Sequence, residues 1–521
     1  MASALRETVH VEAPAANLTR RASLNAAQSL LDYTARLGVG LLVTPILVRG
    51  LGQSLFGVWQ VLGQLLGYLS ATDGRPTDAL RLVIANRDAV DDDATKRRHV
   101  GSAFVVWALF LPLALIAGGA LVWLAPALTK VAPALVAPVR IAAALLLFQF
   151  LLATLSAVPE AVLRGANLGY KRMGLQAALQ IVGGALAVGA LALGLGLVGL
   201  SIAQVLLAAV TAGCFWLLVR RYVPWFGVAR PRRAEVVSLV RTSAWLAVGD
   251  LIAKLLLASD VVILSLVLSP AAATPYVLTA YASRTAMGIL VLGTLGAMPG
   301  LGSVIGQGRH ERAAALREEL LWITWLAATA LGIAMLVWNR AFVALWVGPE
   351  QYAGVWPNVL LVLAVVQTAF IRCDAYIIDA ALKPRQRVIV GAIAAVATIG
   401  ASFVLTRMLG ITGLCLGILV GRLVQSVAYP VLAARSFGRP GWASAAALLQ
   451  WVRPALAMAA LFGLATFVGE REMAPNWVLW GLGVAVTTAL GAALAYAIGL
   501  PARARLAAAR RVREAIGGLR G

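Results

Sequence analysis

Charged side chains lie inside stretches of sequence that are otherwise apolar. Asp32 and Arg36 stand four residues apart, as do Asp250 and Lys254, and Arg284, Arg372 and Asp374 follow in later apolar runs. A charge at the centre of a bilayer costs about 2.5–3.5 kcal/mol on insertion scales, so each must face protein or a water-filled cavity. Cations at that depth suit an anionic cargo and repel a cationic one. Carboxylates there can take up a proton or a sodium ion and so couple to a gradient, and Asp32, Asp250 and Asp374 are the deepest. Asp260 is a weaker candidate, and Asp379 sits where Lys383 or Arg385 can neutralise it. Two roles stand open for each acid–base pair, because groups four apart on a helix can simply neutralise each other. Arg422 carries the same ambiguity.

The elements that hold these groups read as membrane helices. Roughly 20 apolar residues cross a bilayer, and Leu24–Val48 and Leu55–Thr72 form the first two crossings. Asn25, Gln28, Asp32 and Arg36 share one face of the first. The chain has 521 residues, 61% hydrophobic and 13% charged, with a mean hydropathy of +0.87. Barrel strands would alternate over about 10 residues, and these runs do not. The expected fold is all-α, a polytopic membrane protein of about 14 transmembrane helices in two six-helix lobes plus a C-terminal helix pair. Its expected divisions are a cytoplasmic tail at 1–22, an N-lobe at 23–220 and a basic linker at 221–241. A C-lobe at 242–436, a final pair at 437–500 and a basic tail at 501–521 complete it. The first 20 residues read as unstructured, and the last 20 as an amphipathic helix on an anionic membrane surface.

A net charge of +22 would suit nucleic acid, but the basic residues cluster between the apolar runs. With the N-terminus in the cytoplasm, cytoplasmic segments hold 31 lysines and arginines against five outside, the asymmetry of the positive-inside rule. Both termini are then cytoplasmic. Arg81–Val100, with Asp91, Asp92 and Asp93, reads as a solvated loop, and Pro76 as a kink near the end of the second helix. Cys214, Cys373 and Cys415 are isolated in apolar runs, and His10, His99 and His310 lie outside them, so no metal site or disulfide is expected. Gly413, Gly417 and Gly421 form a small-residue ridge for close helix packing. Gly194–Gly199 reads as a helix junction, and Trp123, Trp338 and Trp346 as interfacial anchors.

The matching pairs Asp32/Arg36 and Asp250/Lys254 suggest an internal repeat. Each is followed by a short hinge and a span opening on an aromatic, Phe56-Gly57-Val58-Trp59 or Tyr276-Val277-Leu278. Six spans per half bring both halves in from the same side, with a symmetry axis along the membrane normal and a cavity between them.

Pro45-Ile-Leu-Val-Arg49-Gly-Leu-Gly52, followed by Phe56-Gly57-Val-Trp59, resembles the opening of the polysaccharide-transporter family. These are the O-antigen and exopolysaccharide flippases of the multidrug/oligosaccharidyl-lipid/polysaccharide superfamily. Asp73-Gly74, Met298-Pro299 and Gly308-Arg309-His310-Glu311-Arg312 extend the resemblance, which covers about residues 24–435. Arg75-Pro76-Thr77-Asp78 departs from the small or apolar residues the family usually keeps there. The resemblance implies a transporter with no catalytic residue and no cofactor, driven by a proton or sodium gradient. It also implies a polyprenyl-diphosphate-linked oligosaccharide as cargo, moved to the outer leaflet of a bacterial inner membrane. Membrane lipids, and the polymerase and chain-length proteins of the same pathway, are the implied partners. A diphosphate needs cations along its path; Arg36, Lys254, Arg284 and Arg372 are the candidates. A cation-coupled drug exporter and a membrane glycan ligase or polymerase are the alternatives. The short external loops disfavour the ligase or polymerase.

Overall fold

The computed structural model describes the backbone of residues 13–87, 91–168, 174–381, 384–438, 445–501 and 505. Residues 1–12, Lys383, the side chains of Asn25, Gln28, Met298 and Pro299, and most of the basic C-terminal tail lie outside what is described, and residues 13–20, expected to be unstructured, are corrected to the first turns of a helix. Regular structure among the described residues is entirely helical. In order come α1 (Ala13–Leu69), α2 (Pro76–Arg87), α3 (Asp93–Leu128), α4 (Val136–Gly165), α5 (Leu175–Ala192), α6 (Gly196–Tyr222) and α7 (Arg233–Ala258). There follow α8 (Asp260–Val267), α9 (Pro270–Gly306), α10 (His310–Trp346), α11 (Val355–Ala380), α12 (Pro384–Ser436), α13 (Ala445–Arg471) and α14 (Trp477–Leu494). Eleven described segments are long and apolar enough to cross a membrane. Two of them turn back on themselves, α1 at Gly52 (φ 72°) and α12 at Gly410 (φ 60°). With the 37-residue α9, this agrees with about 14 crossings. The chain forms two compact units, Met1–Leu251 and Ile252–Gly521, and α7 runs from the first into the second.

In the first unit α4 packs on α6, α2 and α3, and α5 joins α1 to α6. The expected loop at Arg81–Val100 is corrected here: α2 continues to Arg87, and α3 begins at Asp93. Ala79, Leu80 and Ile84 recur at helical spacing within a charged stretch, and all three are fully buried. Ile84 lies against Gly165 of α4, where no side chain would fit. The nearby acids serve local structure. Asp92 accepts the Thr95 backbone N–H at 2.9 Å as the N-cap of α3, and hydrogen bonding to Thr95 holds its carboxyl below the ordinary range. Asp91 meets His99 at 3.0 Å. Gly194 and Gly196, both at positive φ, form the expected junction between α5 and α6.

In the second unit α11 packs on α9, α10 and α12, while α10 carries α13 and α14. Aromatic contacts weld this last pair in place: Trp322 stacks on Trp451 at 4.0 Å, and Phe342 meets Trp480 at 5.4 Å. Of the tryptophans expected as interfacial anchors, only Trp123 is exposed, at 69%. Trp346 is buried against Tyr281 and Phe342, and Trp338 donates to Thr487 of α14 at 3.0 Å. Trp338 packs because α14 covers that face of α10, and Trp346 because Tyr281 of α9 does. The glycine ridge packs as expected: Gly417 and Gly421 seat directly on the backbone of Ser402 and Thr398, in the other limb of α12.

The two units repeat in register. Asp32 and Asp250 stand 218 residues apart, and the same interval relates Arg36 to Lys254, Gln149 to Gln367 and Gln204 to Arg422. It also carries α3, Asp93–Leu128, onto α10, His310–Trp346, to within a residue.

Adding one methyl group at Gly421 would bring it to 2.2 Å from the Thr398 Cα. Overpacking of this kind costs about 1–3 kcal/mol. Gly421→Ala is expected to lower the apparent Tm of the purified protein in detergent, whereas Gly400→Ala, with open space around it, should not.

Candidate functional site

The departure at Arg75-Pro76 builds a break in the second crossing. The helix stops at Leu69 and restarts at Pro76, which occupies a first-turn position where no N–H is needed. Between them Gly74 (φ 69°) and Arg75 (φ 49°) are both left-handed. The Arg75 N–H donates to Asp73 Oδ1 at 2.8 Å, closing the turn. The expectation of a simple kink at Pro76 is therefore corrected to an interruption, because two consecutive left-handed residues cannot continue a helix. The Arg75 guanidinium binds Asp78 of α2 and reaches Asp250 of α7 at 2.5 Å. Ser70 Oγ donates to Asp250 at 2.7 Å. Asp250 thus ties α7 to both edges of the break. Asp32 is half-buried on α1 and Arg36 is exposed; among the described residues no ion pair involves Arg36.

In the second unit Asp260 is the acidic centre. It accepts the Tyr276 hydroxyl at 2.6 Å and the Arg284 guanidinium at 3.3 Å, and Arg284 keeps 45% of its side chain exposed. Arg422, on the second limb of α12, donates to Thr368 Oγ1 at 2.5 Å and to the Leu256 carbonyl at 3.0 Å. It lies within electrostatic reach of Asp260, Tyr276 and Arg372. Arg372 makes no hydrogen bond or ion pair among the described residues; its charge acts on Asp379 and Tyr429. Asp379 itself pairs with Arg387 at 2.8 Å, neither of the partners expected, because the turn into α12 brings Arg387 back over the last turn of α11. Arg284 and Arg422 outnumber Asp260, the carboxylate they share, and Arg372 lies within electrostatic reach of Arg422. Lys254 is half-buried on α7.

Asp374, 4% exposed, is engaged elsewhere. Arg317 of α10 grips it in bidentate fashion, Nε to Oδ1 at 2.6 Å and Nη2 to Oδ2 at 3.0 Å. Sequence reasoning missed Arg317, which counts among the cytoplasmic charges, and missed Arg75 as a binding group. Glu160 of α4 was missed as well; its position at the end of an apolar run beside Arg164 was the available signal.

Helices of this length and order, with ionised groups held inside them, define a multi-pass membrane protein with the fold of the multidrug/oligosaccharidyl-lipid/polysaccharide superfamily. Within it, the chain belongs to the family described as "Polysaccharide biosynthesis protein", whose model matches residues 25–299, just over half of its length. No curated protein matches the chain. Among solved structures it is similar to a multidrug resistance MATE family transporter of this superfamily in the inward-facing conformation. The match has a TM-score of 0.60 and 16% identity, and covers 78% of this chain and 98% of that one. An outward-facing MATE transporter aligns with a TM-score of 0.54 and 16% identity over 80% and 96% of the two chains. A superfamily transporter from Pyrococcus furiosus, titled as having a binding pocket of reverse polarity that suggests a different function, aligns at 0.53 and 17% over 80% and 96%.

Removing one member of a buried ion pair costs about 3–5 kcal/mol, whereas replacing both with apolar groups is often neutral. Arg317→Met alone should therefore lower the apparent Tm sharply. Arg317→Met combined with Asp374→Leu should recover most of the loss.

Proposed function

We propose that the protein is a flippase that carries a polyprenyl-diphosphate-linked oligosaccharide from the inner to the outer leaflet of a bacterial inner membrane, by alternating access. The observation that carries this reading is the surplus of arginine over carboxylate around Asp260. A diphosphate entering a low-dielectric interior loses the water that solvates its charge, and guanidinium groups replace that water with charge-assisted hydrogen bonds. Arg284, still 45% exposed while it pairs with Asp260, and Arg372, without an ion pair among the described residues, are the groups to serve, and Arg422 lies within electrostatic reach of Arg372. Family membership supports a role in polysaccharide biosynthesis, and the fold supports transport rather than catalysis. The similar superfamily transporter from Pyrococcus furiosus is described as having a binding pocket of reverse polarity. A positive interior argues for an anion and against the cationic drugs of an exporter. Asp32 and Asp250 are the carboxylates through which a proton or sodium gradient would act. The polymerase and chain-length proteins of the same pathway are the partners this activity calls for.

In cells lacking the gene, the lipid-linked oligosaccharide should accumulate on the cytoplasmic face. Wild-type protein should clear it, and Arg284→Gln with Arg372→Gln should not, at equal abundance in the membrane. Clearance by that variant, or unchanged glycan with new sensitivity to cationic dyes, would reject the flippase.

A further inference from the structure

The seam between α4 and α6 contains an opening that the function above does not use. Gln149, Ser156 and Glu160 form a polar stripe on α4, and Gln204, Thr211 and Phe215 face them from α6 across a cavity of about 210 Å³. Both helices are otherwise strongly apolar. Ser156 and Thr211 donate to carbonyls of their own helices, at 2.9 Å and 2.7 Å, which leaves their oxygens as acceptors. Gln149 and Gln204 make no hydrogen bond among the described residues. Two half-buried amides on one cavity, with no bonds to the described residues, can both donate to and accept from an occupant.

The repeat sharpens the point. The counterparts of Gln149 and Gln204 in the second unit are Gln367 and Arg422. There Gln367 donates to the Leu419 carbonyl and to Ser426, and Arg422 donates to Thr368. The equivalent seam is thus occupied by the protein's own side chains and is cationic. In the first unit a neutral amide replaces the arginine, and Glu160 stands where the repeat has Ile378. The two seams have opposite electrostatic character.

We propose that the α4–α6 cavity is a saccharide subsite that takes one hexopyranose ring of the lipid-linked oligosaccharide, an inference that rests on the flippase reading. A sugar hydroxyl donates and accepts at once, as a glutamine amide does, and the Glu160 carboxylate accepts from neighbouring hydroxyls. Phe215, 1% exposed, backs the cavity from the core. Small-molecule pockets usually span about 300–1,000 Å³, so this space suits a single ring rather than the whole glycan. It exceeds by several-fold the roughly 30 Å³ share of one water, which is more room than a bare cation needs. The Glu160 carboxylate disfavours a diphosphate in this space.

The test is saturation-transfer-difference NMR on the full-length protein in lipid nanodiscs, with free glucose, galactose, mannose and N-acetylglucosamine as probes. Inorganic pyrophosphate is titrated into parallel samples. At least one sugar should give a saturable signal, weakened about tenfold or more by Gln149→Leu with Gln204→Leu as the hydrogen bonds are lost. Gln204→Arg, which introduces the group found in the other repeat, should abolish it. Both variants should keep the wild-type Tm and still bind pyrophosphate, whereas Arg284→Gln with Arg372→Gln should lose pyrophosphate and keep the sugar. Silence from all four sugars, or a sugar signal that survives both glutamine variants, overturns the subsite. Failure of pyrophosphate to bind, with sugar binding intact, counts against the flippase reading alone.

Discussion

An ionised group cannot stand alone in a medium of low dielectric, and this constraint organises the interior of the chain. The carboxylates Asp250, Asp260, Asp374 and Asp379 each meet an arginine from a different element. Arg75 brings the break after α1, and α2, to α7. Arg284 joins α9 to α8, Arg317 joins α10 to α11, and Arg387 joins α12 to α11. In a membrane, apolar side chains gain little by leaving lipid for protein, so helix association leans on packing and polar contacts. The ion pairs therefore fix which helices are neighbours as well as cancelling charge.

Against that background, the arginines that are not cancelled carry the functional argument. Asp374 and Asp379 are matched by Arg317 and Arg387, which leaves Arg284 and Arg422 to share Asp260 and Arg372 without an ion pair among the described residues. The repeat supplies the scaffold for both seams, and differences at single positions decide their charge. Gln204 and Arg422 occupy equivalent places, yet one helix pair keeps an open, weakly acidic space and the other is closed by a cation.

Much of the fold was legible in the sequence. Apolar runs of membrane length, basic clusters between them and the paired Asp32/Arg36 and Asp250/Lys254 give the helices and the repeat. The partners inside the site were not legible, for a physical reason. Arg317 and Asp374 are 57 residues apart, and no helical periodicity links positions on different helices. Arg75 stood out only as a departure from a family pattern, and its role needs the left-handed turn at Gly74 and Arg75 to aim it at Asp250. The α2 helix was hidden because its twelve residues are flanked by charge, which lowers the average hydropathy of any window long enough to find a membrane crossing.

The close seating of Gly417 and Gly421 on Ser402 and Thr398 also governs where the chain can flex. Two helical limbs in backbone contact have no compressible layer of side chains between them, so the α12 hairpin resists shear and behaves as a stiff strut. At Gly52, by contrast, a Cβ would find nothing within 4 Å, and the turn there has room to open or close. Compliance in this protein is therefore distributed unevenly, concentrated at open turns and withheld from glycine seams.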